Sequence, residues 1–222
     1  MTTEVTSFSS MEENQKKRKD KSMNNVKVEE KPSNLKWREE TSVSIIYFSV
    51  TSDGTTGRNW ITRLETLGVR VSNEARVLLR SPDFKPTSGL TTKIAVRKST
   101  PLDDKDWWGI EEIRAEAGQR KLGKPEPEVA CLIREKFTDE EIEVMGLSRI
   151  LIMHEPIDDS YDDIDGDGGR CWFDLSRDGD VYSLDARWCA CYYTYGNKYL
   201  RGTGFAFVVS STCADKQTCP TE

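Results

Sequence analysis

Apolar residues at helical spacing are confined to the middle of the chain, between Trp60 and Gly146, and the residues that follow have only the pattern of strands. Helices on one part of a chain and strands on another are typical of α+β proteins, whereas the two alternate in a doubly wound sheet. We therefore predict an α+β fold in which helices surround a small mixed sheet, followed by a β-rich C-terminal part.

Local signals indicate where these elements begin and end. The run SVSIIYFSV is rich in β-branched and aromatic residues and predicts a central strand from residue 43. Gly68 is expected to end the first helix in a left-handed conformation, and Ser72 is expected to cap the second. Thr138 and Glu141 have the spacing of a capping box. Further strands are predicted at residues 90–96 and 149–153, and further helices at residues 110–122 and from Pro127.

The first 41 residues carry nine basic and eight acidic side chains and almost no apolar periodicity. Such a segment cannot bury enough apolar surface to offset the entropy of ordering, so we predict a disordered charged tail. The expected organisation is a tail at residues 1–41, an α/β scaffold at 42–157, a β-rich ligand-contact part of the same domain at 158–210, and a flexible tail at 211–222.

The composition of the chain changes after residue 155. Residues 43–155 contain 22 Glu, Lys, Gln and Met residues, and the next 55 residues contain one, Lys198. At the earlier density about 11 would be expected. Short strands and tight turns disfavour some of these residue types, which explains part of the deficit. Strand propensity does not favour the Asp and Cys residues that replace them.

The motifs GRNWITRLETLG, LLRSPDFKPTSG, EVACLIREKFTDEEIEVMGL and MHEPI resemble those of an uncharacterised bacterial family. Around Trp172, Trp188 and the closing FAFVV, the C-terminal third resembles the variable region of target proteins of diversity-generating retroelements. In those targets the adenines of AAC or AAT template codons are randomised, and the resulting codons never encode Glu, Lys, Gln, Met or Trp. The deficit of Glu, Lys, Gln and Met after residue 155 agrees with this set. The resemblance implies a C-type-lectin-like scaffold with diversified side chains on one β-rich face.

A diversified surface would use large aromatic side chains and small adaptable polar ones, as antibody loops do. The candidate ligand contacts are Tyr182, Arg187, Tyr192, Tyr193, Tyr195, Asn197 and Tyr199. Because successive residues of a strand face opposite sides, about half of such a list is expected to be structural. We therefore expect a non-catalytic binding protein whose ligand is an unidentified protein or carbohydrate.

An aspartate-rich segment raises the question of calcium. Asp163, Asp165, Asp167 and Gly168 match D-x-D-x-D-G, and Asp174 falls at the twelfth position of a calcium loop. Flanking helices and a bidentate Glu are missing from the pattern. Either a calcium loop of another type or a solvated Asp/Gly turn without metal fits the residues, and we expect no other cofactor.

Catalytic and zinc-binding patterns are weak. His154 is the only histidine, Glu155 projects to the opposite face of a strand, and a histidine satisfied at the strand end is the default interpretation. A zinc site could be formed by Cys171, Cys189, Cys191 and Cys213. Its sequence pattern is weak, because only Cys189 and Cys191 are closely spaced and a second close pair of cysteines is missing. A Cys- or carboxylate-dependent hydrolase and a structural or assembly partner remain the alternative functions.

The sequence also bears on location and on other partners. The N-terminal residues lack the apolar segment of a secretory signal, and no stretch approaches the roughly 20 apolar residues that span a bilayer. We expect a cytoplasmic protein that contacts no membrane and keeps its six cysteines reduced. The basic run at residues 16–19 is flanked by acidic residues, so we expect no nucleic-acid partner.

Overall fold

The computed structural model describes residues 35–99, 110–158, 170–178, 181–188 and 202–210. Within these ranges the elements belong to one compact unit, residues 36–222. The strands are β1 Arg38–Glu40, β2 Ile45–Asp53, β3 Arg70–Val71, β4 Ser88–Lys98, β5 Leu122–Gly123, β6 Arg149–Ile152, β7 Ile157–Asp158, β8 Arg170–Asp178, β9 Val181–Trp188 and β10 Thr203–Val209. The helices are α1 Gly57–Thr66, α2 Asn73–Arg80, α3 Ile110–Gln119, α4 Val129–Lys136 and α5 Asp139–Val144.

These strands form one mixed sheet in the order β1-β2-β4-β10-β6-β8-β9-β3, with β5 paired to β10 and β7 paired to β8. The last strand, β10, lies at the centre, antiparallel to β4 and parallel to β6. The α+β prediction is confirmed. The sheet is larger than expected because the C-terminal strands join the sheet that the N-terminal strands begin.

Each face of the sheet buries its own apolar cluster, since alternate residues of a strand point to opposite sides. The larger core lies with α1, α2, α4 and α5 and includes Ile150 and Ala206. The smaller core packs against α3 and includes Leu151 and Phe205. The central strands therefore carry apolar residues on both sides, as strands covered on both faces do.

The start of the folded part differs from the prediction. Residues 38–40 were assigned to the tail, but they form β1, which pairs antiparallel with β2. Trp37 is buried in the larger core as well. Three strand residues and one aromatic side chain carry too little periodicity to stand out in a charged segment. Residues 1–34 lie outside the described part of the chain.

The predicted helix boundaries are confirmed where a cap marks them. Ser72 accepts a hydrogen bond from the Ala75 amide through its side chain, and Gly68 adopts a φ of +79°. The predicted helix from residue 110 ends at Gln119, and Leu122 then pairs with Val209 in the sheet. No described helix is both long and apolar enough to cross a membrane.

The capping box on α5 gives a stability prediction. Thr138 accepts a hydrogen bond from the Glu141 amide, and the Glu141 carboxylate accepts one from the Thr138 amide. We expect Thr138→Ala to lower the free energy of unfolding by about 1 kcal/mol, measured by urea denaturation. Thr62→Ala, at an exposed position inside α1, is the matched control and should not destabilise, because alanine has the higher helix propensity. Equal losses for the two variants would contradict the capping role.

Candidate functional site

The predicted contact residues divide into those that the structure describes and those that it does not. Tyr182 and Arg187 lie on β9. The other five lie outside the described ranges: Tyr192, Tyr193, Tyr195, Asn197 and Tyr199.

Tyr182 is a core residue, which corrects its assignment as a surface contact. Its side chain is 1% exposed, and its hydroxyl donates a hydrogen bond to the carbonyl of Leu147 at 3.0 Å. The guanidinium groups of Arg134 and Arg177 lie 5.5 and 5.8 Å from the ring centroid. The physical reason is strand alternation, which turns Tyr182 toward the larger core together with Leu184 and Ala186.

The opposite face of β6, β8 and β9 carries polar residues beside Leu151 and Trp172 of the smaller core. The register aligns Arg149 with Ser176 and Ser183, places Asp174 opposite Asp185, and places Arg187 opposite Trp172. We call six of these residues the polar strip: Arg149, Asp174, Ser176, Ser183, Asp185 and Arg187. Of these six residues, only Arg187 and Asp174 are candidate site residues in the sequence, and the sequence patterns place them in different sites. Alternation of polar residues along β8 and β9 is the signal that would have joined them.

Asp174 is the centre of the polar strip. It is 0% exposed, and its Oδ2 lies 2.6 Å from Nε of Arg187 and 3.2 Å from Nε of Arg149. Burial raises the pKa of the Asp174 carboxyl, although the two guanidinium groups act in the opposite direction. Within the described ranges, no group donates a hydrogen bond to its other oxygen, Oδ1.

The position of Asp174 also corrects its assignment as a calcium ligand. It lies inside a strand, where alternation and register direct its carboxylate to two arginines, rather than at the end of a loop. Asp163, Asp165 and Asp167 lie outside the described residues. Among the residues that are described, no group of three or more His, Cys, Asp or Glu side chains could hold a metal ion. Calcium binding by the aspartate-rich segment therefore stays a prediction.

His154 joins the end of β6 to β8. Its Nε2 accepts a hydrogen bond from the Phe173 amide at 3.0 Å, so the proton is on Nδ1, which lies 2.6 Å from the Glu155 carbonyl. The indole of Trp172 donates to the His154 carbonyl at 3.0 Å. Burial lowers the pKa of His154 to about 4. Both ring nitrogens are engaged, which agrees with the interpretation of a satisfied histidine and gives the hydrolase alternative no base here.

The two described cysteines, Cys131 and Cys171, are both buried. Both belong to the larger core. Burial raises the pKa of the Cys131 thiol well above its ordinary value, with Glu128 adding to the effect, which disfavours the reactive thiolate. The other proposed zinc ligands, Cys189, Cys191 and Cys213, lie outside the described residues.

The register also fixes where two segments of the C-terminal third leave the sheet. Ile157 pairs with Cys171, and Cys171 pairs with Trp188 on the other side. The aspartate-rich segment begins after β7, and the tyrosine-rich segment begins after β9. The last residues of β7 and β9 therefore lie at the same end of the sheet, and Arg187 of the polar strip comes directly before the last residue of β9.

Comparisons with protein-family models, with curated proteins and with solved structures find no match for this chain. The chemistry and geometry of its residues therefore carry the functional interpretation.

Proposed function

We propose that this chain is a non-catalytic binding protein that presents a diversified ligand-contact surface on a C-type-lectin-like scaffold. The surface comprises Arg187 and the tyrosine-rich segment that follows β9. The proposed ligand is a macromolecule, either a protein or a carbohydrate. Diversification and the C-type-lectin-like scaffold are the parts of the proposal that rest on the resemblance.

One observation supports the proposal most directly. Of the residues that the resemblance holds constant, which are Trp172, Trp188 and the FAFVV segment, Trp172 and the phenylalanines of FAFVV are framework residues. Trp172, Phe205 and Phe207 pack in the smaller core with Leu151 and Met153 of the scaffold. Strand β10 lies between β4 and β6, at the centre of the sheet. A binding surface with changing side chains requires such a framework, because its constant residues must supply the stability that the changing ones do not.

The attachment of the framework to the MHEPI motif is independent of most side chains in the C-terminal third. The Trp172 indole and the Phe173 backbone amide make the two hydrogen bonds to His154. A backbone amide is present whatever the side chain, so of these two hydrogen bonds only the one from Trp172 uses a side chain of the C-terminal third. Neither bond uses the side chain of Arg187 or of a residue beyond Trp188.

The composition of the tyrosine-rich segment suits contact with a macromolecule. Tyrosine gives a large contact area at a small cost in side-chain entropy, and asparagine adapts its hydrogen bonds to different partners. The segments that follow β7 and β9 both belong to residues 156–210, which contain one Glu, Lys, Gln or Met residue. Flexible charged side chains would raise the entropy cost of binding, so their scarcity favours an interface.

A display library tests the proposal. We would randomise Tyr192, Tyr193, Tyr195, Asn197 and Tyr199 on yeast and select for binding to lysozyme as a defined protein target. Most clones should remain folded, because surface substitutions change stability by within about 0.5 kcal/mol, and selection should enrich specific binders.

The matched control library randomises five exposed helix residues: Arg58, Thr62, Asn73, Glu74 and Arg80. It should fold equally well and yield fewer binders, because these positions lie on convex helix surfaces. Loss of folding in most clones of the first library, or equal enrichment from both, would defeat the proposal.

The DNA beside the coding sequence tests diversification separately: a reverse-transcriptase gene and a near copy of the 3′ coding region should be present, and their absence would remove diversification from the proposal.

A further inference from the structure

The strands β1, β2 and β4 present a polar surface on the side away from the larger core. Alternation along β2 turns Tyr47, Ser49 and Thr51 away from that core. The register places Arg38 of β1 opposite Tyr47 and Lys93 of β4 opposite Ser49. With Thr91 of β4 and Arg120, which follows α3, these residues form a surface on which Tyr47 is partly buried and the others are exposed. We call it the basic face: Arg38, Tyr47, Ser49, Thr51, Thr91, Lys93 and Arg120.

Two cations of the basic face contact an aromatic ring. The guanidinium of Arg38 lies 4.7 Å from the centroid of the Tyr47 ring, and the ammonium of Lys93 lies 5.5 Å from it. No carboxylate of the described residues forms an ion pair with either cation. Both charges are therefore available to an anion that approaches from solvent.

The charge around Tyr47 is positive, although the chain as a whole is acidic. Burial raises the pKa of Tyr47 and Glu40 adds to the rise, whereas Arg38 and Arg120 oppose it, so Arg120 lies near the same ring. Glu116 pairs with Arg120 and with one further arginine, each at 3.1 Å. Four cations and two carboxylates thus lie on or beside the face, a net charge of +2: Arg38, Lys93, Arg97 and Arg120 against Glu40 and Glu116. The net charge of the chain is −6, so the fold gathers this positive charge locally.

The remaining side chains restrict which anion fits the basic face. They are the hydroxyls of Ser49, Thr51 and Thr91, and the last two lie 2.9 Å apart. Surfaces that bind a bilayer insert apolar side chains, and protein interfaces have an apolar centre that is poor in lysine. The basic face has neither property. Single-stranded nucleic acid instead takes cations and hydroxyl donors on its phosphates and a ring against its bases.

We propose that the basic face binds single-stranded nucleic acid, with Arg38, Lys93 and Arg120 neutralising phosphates and a base stacking on the planar pair of Tyr47 and Arg38. Bases stack on aromatic rings and on guanidinium planes alike, and sheet faces that bind RNA present such groups. The expectation of no nucleic-acid partner rests on the acidic residues that flank residues 16–19, whereas strand pairing brings these cations together.

The basic face is separate from the proposed contact surface. Strands β1, β2 and β4 lie toward one edge of the sheet, and β9 lies toward the other. The inference therefore goes beyond the proposed function and does not depend on it.

The first test measures how binding depends on salt. Fluorescence anisotropy follows binding of the full chain to labelled single-stranded RNA and DNA of one mixed sequence. Three neutralised phosphates predict that the affinity falls roughly 20-fold between about 50 and 200 mM salt. In the double variant Arg38→Gln with Lys93→Gln only one such contact remains, so the fall should shrink to about threefold. Arg58→Gln with Arg80→Gln, at exposed positions of α1 and α2, removes the same charge and should keep the roughly 20-fold fall.

The second test separates stacking from charge. Tyr47→Ala should weaken binding by at least about fivefold, whereas Tyr47→Phe, which keeps the ring, should change it by less than about twofold. Urea denaturation checks that each variant is folded. Should Tyr47→Ala fail to fold, the double variant carries the test, because Arg38 and Lys93 are both exposed.

Absence of binding to both oligonucleotides at about 50 mM salt would overturn the inference. So would a salt dependence that the Arg38 and Lys93 double variant leaves unchanged, or equally tight binding of the matching duplex, whose bases are already stacked on one another. Equal affinity for polyglutamate would assign the face to an acidic protein instead and would also overturn it. Each of these outcomes leaves the lysozyme library, and with it the proposed function, unaffected.

Discussion

Tyr182→Ala is expected to lower the free energy of unfolding by roughly 3–5 kcal/mol, the range for removing a large aromatic side chain from a core. The ring is 1% exposed, and Arg134 and Arg177 lie over it. The substitution also leaves the Leu147 carbonyl without the hydroxyl that donates to it. Urea denaturation followed by circular dichroism at pH 7.5 measures the loss.

One further variant separates the contributions of the Tyr182 ring and hydroxyl, and two others test the proposed contact surface. Tyr182→Phe keeps the ring and removes the hydroxyl, so it should cost about 0.5–1.5 kcal/mol. Tyr193→Ala and Tyr195→Ala should each change stability by within about 0.5 kcal/mol if they belong to the proposed contact surface. A negligible effect of Tyr182→Ala would contradict its place in the core. Losses at Tyr193 and Tyr195 as large as that at Tyr182 would defeat the display proposal.

The error at Tyr182 illustrates which part of the fold could be derived from sequence. Tyr182, Leu184 and Ala186 alternate with Ser183, Asp185 and Arg187, so the pattern contained the assignment of each residue to a face. Residue type alone favours the surface for a tyrosine in this segment, whereas alternation places Tyr182 in the core. The period of a strand identifies the side that each residue faces more securely than the polarity of one residue.

Local signals predicted the helices well, and pairing between distant strands was not predicted. Ser72, Thr138 and Gly68 act on backbone groups within four residues, so their roles follow from short stretches of sequence. The position of β10 between β4 and β6 depends on contacts across more than 50 residues. Both neighbours have consecutive buried apolar residues where they pair with β10, and strands that are apolar on both faces do not specify one partner in the sequence.

The candidate site was only partly predictable for the same reason. Asp174 and Arg187 were each singled out from sequence, one as a calcium ligand and one as a surface contact. Their ion pair, with Arg149 as the third member, depends on the register of β6, β8 and β9. His154, in contrast, was correctly expected to be satisfied at the end of a strand, because its position before Pro156 is a local feature.

Acid is expected to destabilise this protein through His154. The pKa of this histidine is lowered from 6.5 to about 4, first by burial and also by the nearby Arg114, while Glu155 opposes the shift. The unfolded chain therefore binds a proton more readily than the folded protein between pH 6.5 and pH 4. The stability that neutral His154 contributes is fully present above pH 6.5 and is lost as the pH falls toward 4, by about 3 kcal/mol at pH 4.

This loss of stability at low pH follows from the donor and acceptor roles of the two ring nitrogens of His154. Protonation would place a hydrogen on Nε2, which accepts from the Phe173 amide, and two donors would then face each other. It would also place a buried positive charge near Arg114, whose guanidinium approaches the His154 carbonyl at 3.5 Å. The chain has no second histidine to obscure the effect.

The experiment compares the parent protein with His154→Gln across pH 7.5 to 4. Glutamine retains an acceptor for the Phe173 amide and does not titrate, so carboxyl groups that protonate near pH 4 contribute equally to both proteins. The parent should lose about 3 kcal/mol more than the variant over this range, and NMR of the imidazole should give a pKa near 4. Parallel losses in the two proteins would mean that His154 titrates normally in the folded state, and that the junction between the MHEPI motif and β8 is open to water.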